Sequence, residues 1–242
     1  MPSFEVLLPL GAIGLYLFDS VLLLYSNEVM FLRSRGRWIF AMSSALMLGG
    51  RRLWVANPFA PAVPQFRVRW SEGDTRQQQE REGELGGFLA ALRPLQYLVA
   101  ALWLLLIALP VDLFVFGTGP ELLALMAAFY CTILVSLAYI YARRRRLHLS
   151  ARAFGALAFD SLACAPVALN LVRKVAMRRS LEGNPLTWAR QHFDGERFSA
   201  LIGAISGRVI EEQLREFGQT PRWLELEQYR QQLAAMVNPP AG

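Results

Sequence analysis

The longest apolar stretches of the chain are three runs, residues 6–25, 97–116 and 122–141. Each run gives about twenty positions, the number that a helix needs to cross roughly 30 Å of hydrocarbon. No basic residue precedes the first run and no small-residue cleavage site follows it, so it lacks the pattern of a removable signal peptide. The pattern predicts three transmembrane helices, with residues 1–26 as an N-terminal anchor and residues 94–142 as a helical hairpin.

The basic residues lie on one side of this predicted arrangement. All 25 of them occur either between the first and second runs or after the third. Because basic residues near the ends of spans are held on the cytoplasmic side, we expect the N-terminus outside and the C-terminus in the cytoplasm. Arg143, Arg144, Arg145 and Arg146 directly follow the third run, where we expect them to contact anionic lipid headgroups.

Residues 27–71 differ from the apolar runs, because they consist of short β-favouring segments with turn residues between them. Segments 28–33 and 37–42 flank a Ser-Arg-Gly turn. Segments 46–48 and 51–55 flank two glycines, the composition of a two-residue hairpin loop. The pattern predicts a small β-rich cytoplasmic insertion of four or five strands.

The end of this insertion alternates between apolar and basic side chains. Phe66, Val68 and Trp70 alternate with Arg67 and Arg69, which gives a strand with one apolar and one basic face. Arg67, Arg69 and Trp70 are candidate contacts for an acidic peptide of a partner or for a lipid headgroup, and a solvated strand face is the alternative interpretation.

Two stretches around the insertion allow other interpretations. The apolar run 38–48 is too short to span a membrane, and it is compatible with an interfacial helix as well as with strands. Residues 72–93 are predicted to be a polar linker. Within residues 71–84, the run of three glutamines and the alternating charges are compatible with a solvated linker or with an exposed helix that leads into the membrane.

Residues 143–182 are predicted to be a basic stop-transfer and interfacial amphipathic segment. Within it, residues 154–172 are apolar but contain Asp160, Pro166 and Asn170 and have basic flanks. A further crossing would carry these flanking basic residues outside, so we expect the segment to lie on the inner surface, as an interfacial or a re-entrant element. Pro166 is expected to open a second helical piece.

Residues 183–242 have the composition of a helical cytoplasmic tail. An apolar stripe recurs there at spacings of three and four residues, as in an amphipathic helix. Gly218, Thr220 and Pro221 are expected to end this helix and begin the next. The stripe consists of Phe198, Leu201, Ile202, Ile205, Val209, Ile210 and Leu214.

The overall composition agrees with a membrane protein. Apolar residues make up 54% of the chain and charged residues only 18%, below the share of about 25% that soluble domains have. The net charge is +6, and Lys174 is the only lysine among the basic residues, which suggests a GC-rich bacterial genome and therefore an inner membrane. Cys131 and Cys164 are expected to be packed thiols.

An ionisable residue, Asp19, lies inside the first apolar run, where a charge costs a few kcal/mol unless it is satisfied. We consider a proton or ion pathway through Asp19, an ion pair with Arg33 or Arg93, and a structural role through Ser20 and a partner helix.

The most suggestive polar set is Asp160, Cys164, Asn170 and Arg173 in an apolar surface segment. An enzyme that acts on lipids would use such a carboxylate as a general base and such a guanidinium to bind phosphate, so Asp160, Asn170 and Arg173 are candidate catalytic residues. Arg173 and Lys174 are also candidate headgroup contacts. Anchoring by polar groups that satisfy one another is the simpler interpretation.

Other motifs give little chemistry. His192, Asp194 and Glu196 alternate like metal ligands, but no motif accompanies them, and a loop with an aspartate helix cap explains them. We expect no metal, no cofactor and no nucleic-acid partner.

The sequence therefore predicts an α-helical integral membrane protein with three transmembrane helices, a small β-rich cytoplasmic insertion and a helical cytoplasmic tail. The leading hypothesis is a non-catalytic bacterial inner-membrane subunit or adaptor, which docks a protein partner or copies of itself and contacts anionic lipids. The alternatives are a lipid-acting enzyme at the inner leaflet that uses Asp160 and Arg173, and an oligomeric ion or proton pathway through Asp19.

Overall fold

The computed structural model describes residues 4–70, 82–179, 181, 185–216, 218 and 220–237. The chain divides into two compact units. Unit 1 consists of Met1–Leu22, Val55–Phe66 and Arg81–Arg179, and unit 2 consists of Leu23–Trp54, Arg67–Glu80 and Ser180–Gly242. Residues 72–81 of the predicted linker lie outside the described residues, whereas residues 82–93 are helical rather than a linker.

Unit 1 is mainly helical. Its elements are α1 (Phe4–Asp19), α2 (Glu82–Val115), α3 (Pro120–Arg143), α4 (Ala151–Ala163), a 3₁₀ helix (Ala165–Asn170) and α5 (Leu171–Met177). Helices α2 and α3 pack against each other, and their buried side chains include Leu95, Leu102, Ile133 and Ile140. As expected, Pro166 stands in the first turn of a new helical piece, where its missing N–H is not needed.

The prediction of three transmembrane helices is wrong. Among the described residues, only α2 and α3 are long and apolar enough to cross a membrane. Helix α1 ends at Asp19 after 16 residues, and strand β1 (Val21–Leu24) takes the place of its expected last turns. Sixteen helical residues measure about 24 Å, less than the roughly 30 Å of a bilayer core.

The error has a local cause. A short apolar run such as Val21–Leu24 fits a strand as well as a helix, and hydrophobicity does not separate the two. The Ser20 hydroxyl donates a hydrogen bond to the Tyr16 carbonyl oxygen at 2.8 Å in the last turn of α1. The expectation of an external N-terminus rested on the third crossing, so it loses its basis as well.

Most apolar side chains of α2 and α3 are not covered by protein. Only 17% of the most apolar window of α2 and 28% of that of α3 are buried. The core helix of a soluble protein would be mostly buried, so the exposed surface of α2 and α3 suggests association with a membrane.

Within the part of the chain that the structure describes, six short strands form two sheets, and most of their residues belong to unit 2. Besides β1, they are β2 (Glu28–Ser34), β3 (Arg37–Ala41), β4 (Met47–Leu48), β5 (Arg51–Val55) and β6 (Gln65–Arg69). The strand orders are β1-β5-β4 and β3-β2-β6. Two three-stranded sheets are therefore present where one small insertion of four or five strands was predicted, and β1 comes from the run that had been expected to span the membrane.

Both predicted hairpins are observed. Strands β2 and β3 pair antiparallel from Met30↔Ala41 to Ser34↔Arg37. Strands β4 and β5 are joined by Gly49 and Gly50, which have φ values of 57° and 75°. Glycine adopts such angles without steric cost, as a two-residue hairpin loop requires. The interfacial helix considered for residues 38–48 is not formed.

Unit 2 also contains α6 (Pro185–His192), α7 (Gly195–Gln213) and α8 (Pro221–Val237). The Thr220 hydroxyl accepts a hydrogen bond from the Trp223 N–H at 3.1 Å and caps α8, as predicted. Most side chains of the apolar stripe predicted for α7 are buried within the protein, so they do not form an exposed apolar surface. The buried members are Phe198, Leu201, Ile202, Ile205 and Val209.

Candidate functional site

The end of α1 and the start of α5 bring together residues that the sequence analysis assigned to separate hypotheses. The Asn170 amide donates a hydrogen bond to Asp19 Oδ2 at 2.7 Å, and Lys174 Nζ lies 2.9 Å from Asp19 Oδ1. Arg173 stands between Asn170 and Lys174 in the chain, and Tyr16 lies one turn before Asp19 on α1. We call Tyr16, Asp19, Asn170, Arg173 and Lys174 the Arg173 site.

The local sequence explains how this site is positioned. Asn170 ends the 3₁₀ helix that Pro166 opens, and α5 follows without a break. The apolar neighbours Leu171, Val172 and Val175 on α5 are completely buried. Because the helix is enclosed, Arg173 is carried into the interior with them.

Arg173 is the most unusual member of the site. Arg173 is only 1% exposed to solvent. The three guanidinium nitrogens, Nε, Nη1 and Nη2, have no hydrogen-bond partner among the described residues. A buried charge without partners costs several kcal/mol, which is why such groups are rare in folded proteins. The side chain therefore offers five unused N–H donors in a planar fork.

The surroundings of Arg173 compensate for this cost only in part. Burial lowers the pKa of the guanidinium, while the Tyr16 hydroxyl and the Asp19 carboxylate act in the opposite direction. The Tyr16 hydroxyl itself donates to the Pro58 carbonyl oxygen at 2.7 Å. Burial also raises the pKa of Tyr16, so this side chain does not supply an anion near neutral pH.

Asp19 has a partner that the sequence analysis did not consider. Its carboxylate pairs with Lys174 rather than with Arg33 or Arg93, and the side chains of Asp19 and Lys174 are each about one fifth exposed. The Asn170 amide also lies 3.4 Å from the Ser20 hydroxyl oxygen. The partly exposed Asp19–Lys174 pair connects the site with the surface.

The other candidates in this segment lie further out. Asp160 Oδ2 is 4.0 Å from Lys174 Nζ, and its side chain is 52% exposed. Cys164 is partly exposed at the C-terminal end of α4. Arg143 ends α3, and residues 144–146 follow it directly. Three of these four arginines are exposed, and Arg144 lies over the Tyr141 ring at 5.0 Å.

The basic strand face in unit 2 is occupied by an internal partner. Glu28 is 3% exposed and accepts hydrogen bonds from Arg67 Nε at 2.8 Å, from Arg69 Nη2 at 3.0 Å and from the Tyr25 N–H at 2.8 Å. The third candidate of the predicted docking surface, Trp70, is buried. Much of the charge on this face is therefore used inside unit 2.

The hydrogen bonds to the Glu28 carboxylate lower its pKa. Burial raises the pKa of the carboxyl group, but the bonds from Arg67, Tyr25 and Arg69 outweigh burial and hold the pKa below its ordinary value of 4.5. The sequence analysis did not single out Glu28. The signal was a lone acid at the start of an apolar strand, beside a strand with two arginines on one face.

The described residues contain no group of three or more metal-ligating acids, histidines and cysteines. Asp194 Oδ1 accepts a hydrogen bond from the Arg197 N–H at 2.8 Å, so it is the helix cap that was expected. Glu196 follows in the first turn of α7, where an acid is favoured by the helix dipole.

No protein-family model, curated protein or solved structure matches the chain.

Proposed function

We propose that the protein is a membrane protein that binds an anionic group, a phosphate or a carboxylate, at Arg173. The observation that carries this proposal is the guanidinium of Arg173, which is buried and has no hydrogen-bond acceptor among the described residues. Phosphates and carboxylates bind arginine through two parallel hydrogen bonds, so either would satisfy the planar fork. Binding would also replace the missing counter-charge.

The membrane part of this proposal is a helical hairpin of α2 and α3. All 25 basic residues lie before residue 94 or after residue 142, so one hairpin keeps all of them on the same side. By the distribution of basic residues, this side is the cytoplasm, with both termini inside and residues 116–119 outside. A bacterial inner membrane is the location that the preference for arginine over lysine supports.

The residues around the Arg173 site favour an anionic lipid headgroup as the source of the bound anion. Unit 1 exposes large apolar side chains outside α2 and α3, including Phe18 at 79% and Phe159 at 73%. Phe18 directly precedes Asp19, and Phe159 directly precedes Asp160. Apolar side chains next to polar groups are typical of elements that lie at a bilayer interface.

The other hypotheses from the sequence have less support. A proton pathway needs an uncompensated acid in a spanning helix, whereas Asp19 pairs with Lys174 at the end of a helix too short to span. Little surface is free for a partner to dock on Arg67, Arg69 and Trp70, because Glu28 binds both arginines and Trp70 is buried. A lipid-acting enzyme would also need a general base, and Asp160 is the candidate for that role. The test is whether Asp160→Asn changes the lipid products.

The test is native mass spectrometry of the full chain from phosphatidylglycerol/phosphatidylcholine nanodiscs. The wild-type protein is expected to retain phosphatidylglycerol, and Arg173→Met is expected to lose it. Arg152→Met is the matched control, since Arg152 is an exposed arginine on α4 of the same unit. A second arm adds inorganic phosphate to protein in phosphatidylcholine alone, which separates a lipid headgroup from a soluble phosphate.

Retention that depends on Arg173 in either arm supports the proposal and identifies the source of the anion. Equal retention by wild type and Arg173→Met in both arms would contradict it. Loss in both Arg173→Met and Arg152→Met would also contradict it, because that result indicates attraction by net charge rather than a site.

A further inference from the structure

Unit 2 contains a second cationic site, a cleft of about 410 Å³ beside the turn between β2 and β3. Arg33 lies near the end of β2 and Arg37 begins β3, on the two sides of the turn. Arg197, in the first turn of α7, also lines the cleft. Three arginines from two separated parts of the sequence therefore meet around one opening.

The cleft has an excess of positive charge. Among the described residues, Asp194 is the only acidic one that lines the cleft. Its carboxylate accepts a hydrogen bond from the Arg197 N–H and pairs with Arg197 Nε at 3.4 Å. The Arg33 guanidinium lies over the Trp38 ring at 4.9 Å, and Arg37 is exposed. No carboxylate among the described residues pairs with Arg33 or Arg37, which leaves two uncompensated positive charges.

Aromatic side chains make one wall of the cleft rigid. The His192 ring stacks on the Trp188 ring with centroids 4.2 Å apart and planes at 11°. His192 Nδ1 lies 2.9 Å from the Trp188 carbonyl oxygen, which further fixes the imidazole. Trp38 packs edge-on against the same Trp188 ring. Arg33 and Arg37 belong to paired strands, so their guanidinium groups lie beside a surface of packed aromatic rings.

We propose that this cleft binds the phosphate monoester or diphosphate group of a small molecule. A phosphate monoester carries a charge of about −1.5 to −2 near neutral pH, which matches the two free arginines. Arginine also suits the planar geometry of phosphate oxygens. The volume of about 410 Å³ lies in the range of small-molecule sites and exceeds what a phosphate group alone would fill. This site is in unit 2 and does not depend on anion binding at Arg173.

The test is isothermal titration of the full chain in detergent with pyrophosphate and with adenosine monophosphate as probes. We expect the wild type to bind at least one probe and Arg37→Gln to bind it roughly tenfold more weakly, the effect of losing a charge-assisted hydrogen bond. Arg33→Gln is expected to act in the same direction. Arg37 is exposed and has no carboxylate partner among the described residues, so Arg37→Gln should keep the wild-type melting temperature. Arg33→Gln also removes the contact with the Trp38 ring, so a slightly lower melting temperature is expected for that variant.

Arg35→Gln is the matched control. Arg35 stands in the same turn and is exposed, but it does not line the cleft. Weakening in Arg37→Gln and not in Arg35→Gln would support the site. Equal weakening in both variants, or no binding of either probe to the wild type, would overturn it. The titration is repeated with Arg173→Met, and binding that persists there separates this cleft from the Arg173 site.

Discussion

Glu28 in unit 2 and Arg173 in unit 1 are both almost completely buried charged residues, yet their surroundings differ. The Glu28 carboxylate accepts hydrogen bonds from two arginines and from a backbone N–H, whereas the Arg173 guanidinium has no hydrogen-bond partner among the described residues and only the nearby Tyr16 hydroxyl and Asp19 carboxylate favour its charge. A buried charge with all its hydrogen bonds satisfied can be accounted for by its structural role in the fold. One that is unpaired needs another reason to be kept, and a ligand supplies one.

The largest effect is expected for Glu28→Ala. This substitution leaves Arg67 and Arg69 facing each other without their shared carboxylate, so we expect a loss of about 2–3 kcal/mol in stability. Thermal unfolding of the purified protein measures this loss as a lower melting temperature. An unchanged melting temperature would mean that the Glu28 network contributes nothing to the fold, and the comparison with Arg173 would fail.

A smaller effect is expected for the ion pair of the Arg173 site. Asp19→Asn and Lys174→Gln each remove one partner of a pair that is about one fifth exposed, and we expect each to cost about 1–2 kcal/mol. The double variant should cost less than the sum of the two single variants. Additive losses would show that Asp19 and Lys174 do not interact in solution.

The pH dependence of stability provides a third comparison. The folded-state pKa of Glu28 is lowered, so its contribution is present above the ordinary value of 4.5 and is lost as the pH falls below that value towards the lowered one. The wild type should therefore lose stability on acidification in this range. Glu28→Gln should start lower and show a weaker dependence there. Parallel pH profiles of the two proteins would rule out Glu28 as the titrating group.

The smallest effects separate the two arginines of the Glu28 network. Arg67 donates through both Nε and Nη2 and is 36% exposed, whereas Arg69 donates through Nη2 alone and is 57% exposed. We expect Arg67→Gln to cost about 1 kcal/mol and Arg69→Gln less than about 0.5 kcal/mol. The reverse order of melting temperatures would contradict this assignment.

Several local features could be predicted because their causes are local. The turns at residues 34–36 and 49–50, the Asp194 cap and the new helical piece at Pro166 follow from residues that favour these conformations. The first apolar run was misread, because the strand that replaces its end is set by pairing with β5, about thirty residues away in the chain.

The Arg173 site could be predicted only in its composition. The sequence indicated Asp19, Asp160, Asn170 and Arg173 as polar groups in apolar segments, but it assigned Asp19 to a separate hypothesis. The contact between Asp19 and Lys174 joins residues 155 positions apart in the sequence (174 − 19). Likewise, no local pattern showed that Glu28 would neutralise Arg67 and Arg69, because that depends on β6 pairing with β2.

In our proposal, the buried guanidinium of Arg173 binds an anion and does not stabilise the fold. The most direct measurement compares the melting temperatures of wild type and Arg173→Met in nanodiscs of phosphatidylcholine, with and without phosphatidylglycerol, and with added inorganic phosphate. Replacing an unpaired buried charge by an apolar side chain of similar length should stabilise the anion-free protein by about 1–4 kcal/mol. The account predicts that Arg173→Met melts higher than wild type without anions and that an anion raises only the wild-type melting temperature. A lower melting temperature for Arg173→Met in anion-free nanodiscs, with both proteins responding equally to anions, would contradict it.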